Sequence, residues 1–158
     1  MNDLDVGMKA PEFSLPRDGG GTVSLGEYAG KIVVLYFYPK DDTSGCTAQA
    51  IDFTALAGKF ADAGAVVVGM SPDPVKKHDK FVAKHSLNVV LAADEEKSVL
   101  DTYGVWQEKS MYGRKYMGVE RSTFLVDGGG VIRRIWRKVK VPGHAEEVLE
   151  AVRALQAK

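Results

Sequence analysis

Val33-Val34-Leu35-Tyr36-Phe37-Tyr38-Pro39-Lys40-Asp41-Asp42-Thr43-Ser44-Gly45-Cys46-Thr47-Ala48-Gln49-Ala50 is the stretch from which the rest of the chain can be read. An apolar, aromatic-rich run of strand type, Val33–Tyr38, is stopped by Pro39, which has no N–H to give to a ladder. A short polar turn follows. Thr43 and Ser44 are N-cap candidates for a helix that carries Cys46 in its first turn. Phe53, Leu56, Ala57 and Phe60 continue that helix as an i, i+3, i+4, i+7 stripe, and Gly64 suits a left-handed residue just past its end.

Cys46 precedes Phe53 by seven residues, so both lie on nearly the same helix face and the thiol is directed toward the sheet. There it meets the carboxyl end of the strand and the open N–H groups and positive dipole end of the helix. Both favour thiolate over thiol and make Cys46 a candidate nucleophile. A lone cysteine is ordinarily a small buried hydrophobe. The strand–turn–helix junction, with Gly45 before it and Thr43 three residues back, argues for reactivity instead.

Pro39, three residues, Thr43, two residues and Cys46 together resemble the active-site signature of the peroxiredoxins. Tyr36-Phe37-Tyr38-Pro39 and Gly45-Cys46-Thr47-Ala48-Gln49 resemble the subgroup named for bacterioferritin comigratory protein, or peroxiredoxin Q. Tyr103-Gly104-Val105-Trp106 and Arg121-Ser122-Thr123-Phe124-Leu125-Val126-Asp127 follow in the order of that subgroup. The resemblance covers nearly the whole chain. It implies an α/β protein with the thioredoxin-like fold, a central mixed β-sheet flanked by helices with an N-terminal hairpin extension.

The 158 residues fit a single domain, taken here as 4–157, long enough for a proper core. Lys+Arg and Asp+Glu balance at 21 each, so no global field draws nucleic acid or a membrane surface. One cysteine rules out an intrachain disulfide and suits a reducing, cytoplasmic setting. Met1-Asn2-Asp3-Leu4-Asp5 has no apolar h-region, and no apolar run is long enough to span a bilayer.

Along the chain, Phe13–Leu15, a turn at Asp18–Gly21, then Val23 and Leu25 read as a hairpin. Val66–Met70 is a strand covered on both faces. Asp73 and Pro74 open a helix, as N-cap and first residue, that runs to about Lys84 and buries Val75, Phe81 and Val82. His78 and His85 lie about 10 Å apart along its axis, too far for one metal ion, and read as surface or boundary residues. His144 falls in the lead-in to the last helix. Asn88–Leu91 is a short strand. Asp94 then caps a helix carrying Val99, Leu100 and Tyr103, with Glu95 and Glu96 in its first turn and Gly104 at its end.

Residues 105–120 read as a loop rich in aromatics and Met, with an apolar pocket wall as one role for Trp106, Met111, Tyr112, Tyr116 and Met117. Ser122–Val126 and Val131–Trp136 are strands joined by Asp127-Gly128-Gly129-Gly130. Arg133, Arg134, Arg137, Lys138 and Lys140 read as a solvated strand face. A last helix turns Val148, Leu149, Val152 and Leu155 inward. Glu146 and Glu147 lie at its start, and Arg153 and Lys158 near its end.

Reduction of a hydroperoxide by a thiol needs a thiolate, donors aimed at the leaving oxygen, and a site that keeps the O–O bond in line. Cys46 supplies the first. Backbone N–H groups around Gly45 and Cys46, with the Thr43 hydroxyl, supply donors. Arg121, at the start of a buried-looking strand and in the matching Arg-Ser-Thr-Phe-Leu segment, is the expected guanidinium, with Arg114 as rival. The resemblance gives Pro39 the role of shielding the thiolate from water. It places a resolving cysteine five residues after the first in many members, where Ile51 stands here.

The sulfenic acid is therefore expected to be reduced by an external thiol, whether thioredoxin, glutaredoxin or glutathione. The implied activity is a one-cysteine, thiol-dependent peroxidase. It acts on hydrogen peroxide, with organic hydroperoxides as a further substrate class, as a monomer or weak homodimer without cofactor or metal. Two alternatives remain open: a holdase-type binding protein using residues 105–118, and a thiol–disulfide exchange protein without peroxidase activity. A thioredoxin role is disfavoured by the absence of Cys-x-x-Cys.

Overall fold

The computed structural model describes residues 4–156; Lys158, expected near the end of the last helix, lies outside them, as does position 157 of the expected domain. In chain order the elements are β1 (Ser14–Pro16), β2 (Thr22–Ser24), a 3-10 turn (Gly26–Tyr28), β3 (Ile32–Phe37), α1 (Ser44–Ala55), α2 (Ala57–Asp62), β4 (Ala65–Ser71) and α3 (Val75–His85). They continue with β5 (Val90–Ala93), α4 (Ser98–Thr102), β6 (Trp106–Met111), β7 (Arg114–Val119), β8 (Ser122–Val126), β9 (Ile132–Trp136) and α5 (His144–Gln156). The central sheet has the order β5-β4-β3-β8-β9, and β1–β2 and β6–β7 form two separate hairpins.

β3 is the centre of this sheet and is buried from Val33 to Phe37. It runs parallel to β4 and antiparallel to β8, so it is hydrogen-bonded on both edges. Its side chains alternate between two cores, as the two-residue period of a strand requires. Val34, Tyr36 and Tyr38 face a cluster with Phe53, Phe60, Phe81, Val148 and Val152, contributed by α1, α2, α3 and α5. Val33, Leu35 and Phe37 face the other, with Leu100, Tyr103, Phe124 and Val23. Cys46 belongs to the first cluster, on the sheet-facing side of its helix.

The helix expected from Ser44 to Gly64 is broken at Leu56, whose N–H bonds Phe53 O only three residues back. The break precedes Gly58, a weak helix former, and still leaves Phe53 and Phe60 in contact at 5.9 Å between ring centroids. Gly64 takes the expected left-handed φ of 78°.

Asp73 does not cap α3 with its side chain. Its Oδ2 accepts the Asp41 N–H and the Ser71 hydroxyl, both at 2.8 Å, and Pro74 takes the N-cap position. Asp94 does reach the helix it was expected to cap, accepting the Leu100 N–H at 2.8 Å. It acts across a turn that contains Glu95 and Glu96, so these acids precede α4 rather than lie in its first turn. The expected loop over 105–120 is a regular hairpin with Trp106 opposite Val119 and Met111 opposite Arg114. Met111, Tyr112, Tyr116 and Met117 are exposed on it.

One glycine in the sheet is required by close approach. A Cβ on Gly69 of β4 would lie 2.7 Å from Tyr36 Cζ and 2.8 Å from its hydroxyl oxygen. Tyr36 cannot yield, because its ring is buried and stacked on Phe53 at 4.7 Å. Gly69→Ala is therefore expected to lower the unfolding free energy by about 1–3 kcal/mol, the usual cost of overpacking. A denaturant midpoint equal to wild type would show that the Tyr36 ring has room to move.

Candidate active site

The register of the central sheet builds the site. Phe37 pairs with Ser122 across the antiparallel β3–β8 edge. One step further brings Arg121 beside the carboxyl end of β3, where the chain leaves through Tyr38 and Pro39 toward α1. Arg121 is half-buried there, and its Nη2 donates to Cys46 Sγ at 3.2 Å. Its Nη1 donates to Gln49 Oε1 at 2.6 Å. The guanidinium thus reaches two residues of α1, one turn apart, from a strand 75 residues later in the chain. Gly45 leaves room for it: a Cβ there would stand 3.2 Å from Arg121 Nη2.

Cys46 is buried, with 2 % of its surface exposed. The first backbone bond of α1 runs from Thr47 N–H to the Thr43 carbonyl at 2.8 Å. The N–H groups of Ser44, Gly45 and Cys46 thus precede the helical ladder, where helix geometry gives them no partner within the helix. Thr43 is the N-cap residue with extended backbone. Its hydroxyl, however, points back to Lys40 O at 2.8 Å rather than forward into the helix. Pro39 is half-buried at the end of β3. Arg114, the rival arginine, is exposed at the start of β7.

Three residues of this region carry more than the sequence suggested. Gln49 is buried and orients Arg121; its spacing of three from Cys46 on one helix face was the available signal. Its amide nitrogen and the Tyr36 hydroxyl have no hydrogen-bond partner among the described residues. Burial, with Cys46 and Asp41 nearby, raises the Tyr36 phenol well above its ordinary range, so it stays protonated.

Asp41 and His78 form a second buried pair beside the site. His78, expected at the surface or at the amphipathic boundary, is fully buried, with Nδ1 2.6 Å from Asp41 Oδ2 and Nε2 3.0 Å from the Ala92 carbonyl. Its place between Val75 and Phe81 on the apolar stripe of α3 was the signal for burial. His85 does lie at the boundary and contacts Asp42 at 2.9 Å. His144, the first residue of α5, is also buried, 2.8 Å from the Thr123 hydroxyl, and burial lowers its pKa. No group of three or more metal-ligating side chains occurs among the described residues.

Comparison with known proteins places this constellation. The model of the AhpC/TSA family matches residues 6–135. The chain belongs to the AhpC/TSA family. It is 46 % identical over 155 residues to peroxiredoxin Bcp of Bacillus subtilis, covering 98 % of this chain and 99 % of that one. A putative peroxiredoxin bcp of Coxiella burnetii is 49 % identical, over 92 % and 97 % of the two chains. Among solved structures, a Xylella fastidiosa PrxQ variant superposes with a TM-score of 0.93 at 37 % identity over the full length of both.

The Xanthomonas campestris bacterioferritin comigratory protein, studied for its alkyl peroxide reduction activity, gives a TM-score of 0.90 at 42 % identity, over 96 % and 99 %. The chain is a peroxiredoxin with the thioredoxin-like fold of that family, a thiol-dependent peroxidase that reduces hydroperoxides. No helix among the described residues is long and apolar enough to cross a membrane.

The Asp41–His78 pair has a pH signature. Burial alone would push the imidazole down. The Asp41 hydrogen bond and charge, the Ala92 carbonyl and Asp73 more than offset this, so His78 titrates above its ordinary value. A pKa raised on folding gives stabilisation that is complete below the unfolded value of about 6.5 and is lost as pH rises through the folded value. Asp41→Asn should therefore lower the thermal midpoint most near pH ~6 and least in alkaline solution. A gap between wild type and variant that stays constant across that range would exclude a charged pair.

Proposed function

We propose that Cys46 is the peroxidatic residue and that Arg121, Thr43, Gly45 and Pro39 complete its pocket. The 3.2 Å contact between Arg121 Nη2 and Cys46 Sγ, in a site where the sulfur is almost fully buried, carries this reading. A buried thiolate needs a counter-charge, and the guanidinium supplies it. The thiolate attacks one oxygen of the hydroperoxide, a sulfur–oxygen bond forms as the O–O bond breaks, and the other oxygen leaves as hydroxide or alkoxide. That oxygen takes a proton from solvent to become water or alcohol, and Cys46 is left as sulfenic acid. Arg121 and the open N–H groups at the start of α1 stabilise charge on the leaving oxygen. The Thr43 hydroxyl joins them by turning from Lys40 O to the substrate, and Pro39 limits access of water.

Cys46 is the only cysteine of the chain, so the sulfenic acid must be reduced from outside. A first external thiol attacks the Cys46 sulfur, releases water and forms a mixed disulfide; a second thiol displaces Cys46 and restores it. Thioredoxin, glutaredoxin and glutathione are the reductant classes, which suits a reducing cytoplasm. The alkyl peroxide reduction activity of the Xanthomonas relative supports organic hydroperoxides as substrates beside hydrogen peroxide. One chain supplies every proposed site residue, which supports a monomer or weak homodimer acting as a single domain.

The exposed Met111, Tyr112, Tyr116 and Met117 favour one second reading, a binding or holdase role at the β6–β7 hairpin. Cys46→Ser separates the two. Peroxide consumption is expected to disappear while the protein stays folded, and client protection by the hairpin would survive. Turnover by the purified variant comparable to wild type would remove Cys46 from the chemistry.

Arg121 is tested by two reactions of the same sulfur. Alkylation by iodoacetamide reports how available the thiolate is, whereas peroxide reduction also reports stabilisation of the leaving oxygen. Arg121→Gln is expected to slow both, with peroxide reduction falling further, by about 10²-fold, the scale of one lost preorganised donor. Arg121→Lys should restore alkylation better than peroxide reduction, because it keeps the charge and loses the planar fork that also holds Gln49. Rates for Arg121→Gln that overlay wild type in both reactions would make Arg121 a bystander.

A further inference from the structure

The charges of the chain balance as a whole, but not at the β6–β7 hairpin. Residues 106–119 hold Lys109, Arg114 and Lys115 against a single acid, Glu108. The register sets Met111 opposite Arg114 and Lys109 opposite Tyr116. Cross-strand pairs two residues apart share a face, so one face near the tip joins two cations to two large apolar side chains. Glu108 belongs to the other face, where its Oε1 lies 3.7 Å from Lys115 Nζ. Met111 and Tyr116 are exposed on a face that carries no carboxylate.

The turn at the tip carries a second signal. Tyr112 and Gly113 join the two strands, both at positive φ, 51° and 78°. Asn-Gly and Asp-Gly are the pairs such a turn favours, and a bulky side chain at its first position is an outlier. Tyr112 takes that backbone and still leaves 98 % of its surface in water. Its ring therefore adds almost nothing to the packing of the chain, and Asn would serve the turn better. A strained position that the fold does not need points to a contact outside the chain.

The chemistry of the face selects what that contact is. A second copy would set the same cations against one another. A folded partner would need a cleft for a ribbon whose six-residue strands are about 20 Å long. An anionic lipid surface meets every feature. Headgroup phosphates pair with Lys109 and Arg114, and the Tyr and Met side chains enter the boundary between headgroups and acyl chains, where amphipathic rings are favoured.

We infer that the β6–β7 hairpin is a lipid-docking element that holds the protein to anionic bilayer surfaces through Tyr112, Met111 and Tyr116, with Lys109 and Arg114 on the headgroup phosphates. β7 ends at Val119, two residues before Arg121, so the hairpin springs from the rim of the proposed site. Docking requires no reaction at Cys46 and is independent of that assignment.

Flotation with vesicles tests it. Wild type is mixed with vesicles of equimolar phosphatidylglycerol and phosphatidylcholine, and separately with phosphatidylcholine alone, at low and at high salt. Binding is expected to the anionic vesicles only, and to weaken as salt screens the contact. Each basic side chain near such a surface strengthens partitioning about fivefold, so Lys109→Glu combined with Arg114→Glu should weaken it about tenfold or more. Tyr112→Asn should bind more weakly at unchanged charge, with a thermal midpoint equal to or above that of wild type, because Asn suits the positive φ. Tyr112→Trp keeps a ring at the tip, and its emission should shift to shorter wavelength when anionic vesicles are added.

Wild type that does not float with the anionic vesicles overturns the inference. So does equal binding to both kinds of vesicle, or binding that survives the charge reversals and Tyr112→Asn in one chain. If vesicles are ignored while the hairpin keeps a heat-unfolded protein from aggregating, its occupant is a protein and lipid docking is rejected.

Discussion

On the proposed assignment of Cys46 as the nucleophile, the structure turns on one constraint: the sulfur must react as a thiolate where almost no water reaches it. Removing a thiolate from water costs far more than a single hydrogen bond returns, so a full positive charge has to stand beside it. Arg121 can do so only because β8 pairs antiparallel to β3 in the register that sets Ser122 against Phe37. A slip of one residue would turn the side chains of β8 to opposite faces and carry the arginine away from Cys46. The antiparallel strand of an otherwise parallel core is thus what joins the two ends of the site. Gln49 and Gly45 refine the same contact, one by holding the second guanidinium nitrogen and the other by lacking a side chain.

A second buried pair lies on the opposite side of the segment between β3 and α1. Arg121 approaches from β8, and His78 approaches from α3. Between them the chain from Pro39 to Gly45 is anchored chiefly by polar contacts, unlike the strand before it. Charged contacts are directional and sensitive to protonation and to added charge, whereas the packing of β3 is neither. That division leaves the floor of the proposed site to packing and its rim to directional polar contacts.

Much of this was legible in the sequence, and what was not has physical causes. Strand, proline, polar turn and helix around Cys46 are local signals, and each was read with little displacement. Arg121 was legible because it immediately precedes a buried-looking strand, Ser122–Val126, and stands in the matching Arg-Ser-Thr-Phe-Leu segment. His78 was misread because titratable side chains are commonly exposed, and the carboxylate that holds it lies 37 residues away. Asp73 has the composition of an N-cap, but tertiary contacts with Asp41 and Ser71 outweigh the local one. The β6–β7 hairpin was missed because exposed Met and Tyr residues on both faces blur the alternation that marks a half-buried strand. Local chemistry was thus readable, whereas a long-range pairing was readable for Arg121 and Cys46 and not for His78 and Asp41.

The core beneath the sulfur is a set of rings that hold one another in place. Tyr36 stacks between Phe53 and Tyr38, and Gly69 gives up its side chain so that the Tyr36 ring can lie against β4. Phe53 in turn meets Phe60 and His144, and His144 meets Trp136 and the Thr123 hydroxyl. One contact chain therefore runs from β4 through β3 and α1 to α5 and back to β8. Shifting any of these rings would open space that neighbours fixed in strands cannot refill. That aromatic floor fixes the end of β3 from which the proposed site is built.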